Sequence, residues 1–224
     1  MTSFFCDKLG VPFAEAENQI TVPEVLALCG DQGIVESDPG IGFLGCDQGA
    51  DLHATIISHN PAATARISYL GILKEWEQLD RLMKNFNISR AVVDGLPDQR
   101  GARAFAERFR GRVFLSFYRD NMKGKYRWSE KDLTVASDRT ESLDASGNVI
   151  YKKAIIVPRE SEIVRTFAQH MSGTAKKLIE DPQTGSQRYV YIKLGPDHFR
   201  HSFSYAVMSW QYGAGSFFGQ SDLG

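Results

Sequence analysis

From Ile41 onward two hydrophobic periods alternate along the chain, and each switch between them marks an element. IGFLGC (Ile41–Cys46), LHATIIS (Leu52–Ser58) and ARISYLGI (Ala65–Ile72) are short apolar runs separated by turn residues at Gly49 and Asn60-Pro61. Three such runs at close spacing predict an antiparallel meander. The period then lengthens: Ile72, Trp76, Leu79, Met83 and Phe86 recur at steps of four, three, four and three. That predicts one apolar face of a helix of about four turns, ended by Asn87. Arg90–Val93 reads as a strand stopped by Asp94-Gly95. Ala102, Phe105, Ala106 and Phe109 mark a second helix, and Arg112–Tyr118 a further strand. A strand, helix, strand unit predicts a parallel pair with a right-handed crossover.

Beyond Tyr118 the pattern weakens. Trp128–Val135 and Val149–Pro158 read as two strands on either side of DASGN (Asp144–Asn148), a turn-rich tip. A helix follows over Glu160–Met171, with Ile163, Phe167 and Met171 four apart. Ala175–Ile179 and Arg188–Leu194 flank DPQTGS as a hairpin, and a last helix runs over Asp197–Trp210. Ahead of Ile41, Thr21 is placed to cap a short helix with Pro23 in its first turn. The division expected is a linker over 1–40, one domain over 41–212 and a loose tail over 213–224. The order of elements is α/β and resembles the ribonuclease H-like mixed sheet flanked by helices, with a β-hairpin inserted before the last helix.

Composition narrows this only slightly. With 224 residues, 42% hydrophobic and 24% charged, the chain suits one sizeable core of ordinary globular type. No apolar run reaches the length of a membrane span, and the N-terminus lacks a basic segment followed by an apolar one. Cys6, Cys29 and Cys46 have no CxxC spacing, which argues for reduced, apolar fillers and against zinc. A net charge of −1 does not announce a nucleic-acid binder. The distribution is more telling: between Arg100 and Arg127, nine basic residues stand against two acidic ones, interleaved with Phe117, Tyr118 and Tyr126. That suits a phosphate-contacting surface, and equally a solvated helix face followed by a charged loop. Arg100, Arg103, Lys123, Lys125 and Arg127, with Lys152 and Lys153 at the tip beyond DASGN, are the candidates for DNA contact.

Three acids from distant parts of the chain supply candidate chemistry. Asp47 ends the first apolar run, Asp94 ends Arg90–Val93, and Asp197 opens the last helix after Gly195-Pro196. Each alone reads first as a turn or cap residue. Together they match the need of a two-ion phosphodiesterase, whose hard cations take several carboxylate oxygens. Counting 100° per residue puts His201 within about 40° of Asp197, opposite the face of Phe199, Phe203, Ala206, Val207 and Trp210. Asp51 reads as a surface turn acid, and His53 as structural.

In order and spacing, GCDQGADLHATII, AVVDG and PDHFRHSFSYAVM resemble the C-terminal nuclease domain of the large terminase subunit of tailed bacteriophages, the DNA-packaging motor. FFCDKLGVPF and ITVPEVLAL are similar to the stretch that joins the motor ATPase to that nuclease. The resemblance implies a metal-dependent endonuclease that cuts concatemeric viral DNA when packaging starts and ends. It implies two Mg²⁺ or Mn²⁺ ions, with Asp47 bridging both, Asp94 on one, and Asp197 as third acidic ligand. His198 and His201 stand where the family carries a further ligand near the third acid, leaving open which of Asp197, His198 and His201 touches metal. The implied partners are double-stranded DNA, the ATPase domain of the same full-length chain, the portal protein and the small terminase subunit. The implied place is the host cytoplasm, at the procapsid portal. No GxxxxGK[ST] loop occurs in the chain, so the ATPase half is expected upstream of Met1. Two other readings stay open: a Holliday-junction resolvase or transposase-like nuclease of the same fold, and a non-catalytic DNA-clamping or portal-docking module.

Overall fold

The computed structural model describes residues 19–60, 63–119, 122, 124, 126–180 and 185–218. Its centre is an eight-stranded mixed sheet. The meander β1 (Ile41–Gln48), β2 (Leu52–His59) and β3 (Ala65–Leu73) leads to α1 (Trp76–Asn85), β4 (Ile88–Asp94), α2 (Gln99–Arg108) and β5 (Val113–Tyr118). β4 inserts beside β1 and parallel to it, and β5 continues parallel beyond β4. β6 (Arg127–Ser129), β7 (Thr134–Ser137) and β8 (Ile155–Ile156) complete the order β6-β7-β5-β4-β1-β2-β3-β8. The β3-β2-β1-β4-β5 centre is the ribonuclease H-like arrangement. A separate hairpin, β9 (Thr174–Glu180) and β10 (Gln187–Lys193), precedes the last helix, as expected.

β1 is buried on both faces, and strand alternation sorts its residues. Leu44 and Cys46 join the core under α1 and α2, with Ala91 and Val93 of β4. Phe43 turns to the other face, where it meets α3 (Glu162–Met171) and α4 (His198–Phe218) through Phe167, Phe199 and Phe203. α4 lies directly on β1: a Cβ at Gly45 would overlap the Ser202 carbonyl oxygen and the Ala206 backbone nitrogen. Ser202 Oγ donates to Thr55 Oγ1 at 2.7 Å and lies 3.2 Å from the Gly45 carbonyl oxygen. Tyr205 and Met208 extend the contact onto Val92 and Phe114 of β4 and β5, while Arg200 and Ser204 face α5 (Arg139–Tyr151), so the helix is covered on both flanks.

Several elements differ from expectation. Ile72 belongs to β3, opposite His53, and is 40% exposed, so the first long helix starts at Trp76. Its spacing to Trp76 is helical, but the β2 ladder holds the chain extended through Leu73, and Gln78 caps the helix by accepting from Lys74 and Glu75. The strand expected over Trp128–Val135 is split into the β6-β7 hairpin. DASGN is no turn: it lies inside α5 (Arg139–Tyr151), which follows β7 in the chain. Its small residues Ser142, Ser146 and Gly147 are buried against α4, so tertiary contact overrides their weak helix propensity. α4 also continues past Trp210 to Phe218; 219–224 lie outside the described residues. In the segment expected as linker, α6 (Val22–Leu26) is capped by Thr21 and Glu24, and Ile20 and Val25 are buried in the core. From Gln19 this stretch packs on the domain; 1–18, including Cys6, lie outside the described residues. Among the described residues no helix is long and apolar enough to cross a membrane.

Arg200, 1% exposed, ties α4 to α5: its Nη1 donates to Ser146 Oγ and its Nη2 to the Leu143 carbonyl, both at 2.6 Å. Arg200→Met keeps the apolar stem and loses both bonds, and is expected to cost about 2 kcal/mol in urea unfolding. An unchanged midpoint would contradict that.

Candidate active site

The parallel register pairs Cys46 with Val93, so Asp47 and Asp94, one residue further along each strand, stand side by side. By alternation both face α4, as does His53, which lies opposite Asp47 on β2. The start of α4 then lays Asp197, His198 and His201 over this end of the sheet. His198 Nδ1 is 2.8 Å from Asp47 Oδ2. Asp197 Oδ1 is 2.6 Å from Lys193 Nζ, and its Oδ2 is 3.5 Å from His201 Nε2.

Electrostatics separate the three acids. Burial pushes Asp94 up to about 7, helped by the charge of Asp47 and opposed by hydrogen bonds to Leu96 N–H and Tyr205. Burial also raises Asp47, against the hydrogen bond and charge of His198. At Asp197 burial works the same way, but His201 and Lys193 outweigh it and hold the carboxyl well below its ordinary value. The bond to Asp47 in turn raises His198.

His201 is enclosed. Its Nδ1 is 3.1 Å from Tyr118 Oη, and its Nε2 lies 3.3 Å from Arg139 Nη2 and 3.5 Å from Asp197 Oδ2. With both ring nitrogens engaged, His201 serves Asp197 as an orienting neighbour. His198 has the more open imidazole, stacked on His53 with centroids 4.5 Å apart. Burial, with the charges of His198 and His170, lowers His53 to about 4, and its Nδ1 is buried without a partner. Asp51 is ion-paired with Lys74 at 2.7 Å, away from this group.

Among the described residues no group of three or more His, Cys, Asp or Glu is arranged to hold a metal ion as it stands. Two of the acids are paired instead with side chains: His198 with Asp47 and Lys193 with Asp197. The donor chemistry nonetheless fits hard cations, because buried carboxylates side by side favour a positive charge between them, and the groups now covering them are movable side chains. Lys193 is 59% exposed.

The expected DNA-contact residues divide. Arg100 and Arg103 lie on the first turns of α2, beside the Asp94 end of the sheet, and Arg127 opens β6. Lys123 and Lys125 lie outside the described residues. Lys152 and Lys153 are not on a hairpin tip: Lys152 is the C-cap of α5 and Lys153 follows it at φ 52°. The 13 residues of α5 put them about 20 Å from Arg139, which approaches His201. Sequence reading did not single out Arg139, Lys193 or Gln48, and it placed Tyr118 with the basic stretch rather than beside His201. Gln48 joins the two acid-bearing strands by donating to the Asp94 carbonyl at 2.5 Å and accepting from Asp98 N–H at 3.1 Å. Its place next to Asp47 was the one signal available.

No family model matches the chain, and no curated protein matches its sequence. Solved structures do resemble it. The large terminase nuclease from thermophilic phage G20c superposes with a TM-score of 0.51 at 16% identity, covering 84% of this chain and 97% of that one. The same nuclease with bound magnesium gives 0.49 at 14% identity, covering 88% and 98%. The yeast mitochondrial Holliday junction resolvase gives 0.38 at 10% identity, covering 88% and 86%. At such identities the likeness is one of fold.

Proposed function

We propose that this chain is a divalent-metal-dependent endonuclease acting on double-stranded DNA. The observation that carries the reading is the placement of Asp47 and Asp94 side by side on adjacent parallel strands, with Asp197 brought to them by α4. Asp47, Asp94 and Asp197 would be the acidic residues that hold the ions, with Asp47 at the centre of the three. His198, once released from Asp47, is the nitrogen ligand, which favours Mn²⁺ beside Mg²⁺. Two such ions supply nucleophile activation and charge neutralisation at the transferred phosphate. The chain's own residues prepare that place. His198 and Lys193 neutralise Asp47 and Asp197 before ions arrive, and Tyr118 and Arg139 fix the ring of His201 against Asp197.

The biological task that fits this site is the cutting of concatemeric viral DNA at the start and end of genome packaging. The partners are then an ATPase domain of the full-length chain, a portal protein and a small terminase subunit, in the host cytoplasm at the procapsid. Supercoiled plasmid is the first substrate to test, in EDTA, Mg²⁺ and Mn²⁺, beside a labelled four-way junction. Cleavage of plasmid that needs either metal, without preference for the junction, is expected. Cutting that survives EDTA, or no cutting with either metal, would contradict the reading; a strong junction preference would favour a resolvase.

A further inference from the structure

A second feature lies beside the end of β5. Gln99, Arg103, Phe117, Arg119 and Thr134 line a cleft of about 260 Å³, with no acidic side chain among the described residues of its wall. It lies on the α2 face of the sheet, at the strand ends that also carry Asp94: a Cβ on Gly95 would overlap the Phe117 ring, while Asp94 itself faces α4 on the other side. Two arginines further along are ion-paired. Arg108 pairs with Asp80 at 2.9 Å, and Arg110 just beyond the helix with Glu107 at 3.4 Å. Among the described residues no carboxylate stands within ion-pair distance of Arg103 or Arg119. Arg103 is steadied by donating from Nη1 to the Asp132 carbonyl at 2.5 Å, which leaves its other N–H groups for a ligand. Arg119 stands exposed at the end of β5, its backbone N–H held by the Ser137 carbonyl.

Two uncompensated guanidinium groups and a carboxamide around one cleft select a tetrahedral oxyanion, which an arginine fork holds through paired hydrogen bonds. The half-buried Phe117 ring offers an apolar wall that suits a deoxyribose. Building on the nuclease reading, we infer that this cleft is a phosphodiester subsite, which holds one backbone phosphate of the duplex where it crosses the β5 end of the sheet on the α2 side. Such contacts position DNA without reading its sequence.

The test is duplex binding by fluorescence anisotropy in EDTA, where no metal-dependent cutting occurs, across a salt series. Arg103→Gln and Arg119→Gln are each expected to weaken binding about tenfold, and the two together to reduce the salt slope by about 0.9, the value for one phosphate contact. Because both arginines hold one phosphate, the double variant does not lose twice that. Arg165→Gln, which breaks only a surface pair with Glu160, leaves affinity unchanged. Parental affinity and slope in the double variant would overturn the subsite, as would a parent chain that binds no duplex at low salt. Displacement of DNA by millimolar inorganic phosphate, beyond the effect of sulfate at equal ionic strength, would make it a free-anion site and also overturn the duplex assignment. A chain that binds through the cleft yet never cuts leaves the subsite standing and retires the nuclease reading.

Discussion

Asp47→Asn is expected to lower metal-dependent cleavage more than about 100-fold, since even residues that only orient metal ligands are worth about 10- to 100-fold. The same change leaves the fold intact. The carboxamide keeps a partner for His198 Nδ1, now 2.8 Å from Asp47 Oδ2, and removes one of two buried charges that oppose each other across β1 and β4. Thermal unfolding in EDTA is therefore expected at or above the parental midpoint, the pattern of a residue kept for function at the expense of stability. Plasmid cleavage at near-parental rates by a folded Asp47→Asn chain would remove Asp47 from the chemistry.

Gly45→Ala carries the largest expected cost in stability, more than about 3 kcal/mol. The reason is not backbone freedom but proximity: the added methyl meets backbone atoms of Ser202 and Ala206, which cannot rotate away. α4 has to lift from β1, breaking the Ser202 bond to Thr55 and drawing Asp197 and His198 off the acids on the sheet. A small domain has only about 5–15 kcal/mol in total, so urea unfolding is expected to shift far to lower denaturant. Gly111 is the comparison: it sits at φ 80° with open space around it, so Gly111→Ala is expected to cost only about 1–2 kcal/mol. Equal midpoints for Gly45→Ala and the parent would mean that α4 does not rest on β1 as described.

What was legible in the sequence follows from how locally each feature is encoded. The β1-β2-β3 meander and the β4-α2-β5 unit show in short apolar runs with turn residues between them, and that sufficed for the fold class. The positions of Asp47, Asp94 and Asp197 were visible because each stands where an apolar run ends or a helix opens. α5 was not, since a helix carrying Ser142, Ser146, Gly147 and Asn148 exists only by virtue of α4 against it. Missing α5 also hid Arg139, which reaches His201 across 62 residues of chain, and misplaced Lys152 and Lys153. Lys193 lies four residues before Asp197, and nothing in a strand pattern says that it turns back to pair with that acid.

The pairing of Asp47 with His198 and of Asp197 with Lys193 ties the electrostatics to the proposed chemistry. On the proposed chemistry, ions would displace His198 and Lys193, so metal affinity would depend on how readily those side chains leave as well as on the three carboxylates. Calorimetric titration of Mn²⁺ into the parent chain and into Asp47→Asn tests the metal centre most directly, free of any DNA. Saturable binding of two ions by the parent, lost or reduced to weak residual binding in the variant, is expected. No saturable heat from the parent, or identical isotherms for the two proteins, would contradict a metal centre built on Asp47, Asp94 and Asp197.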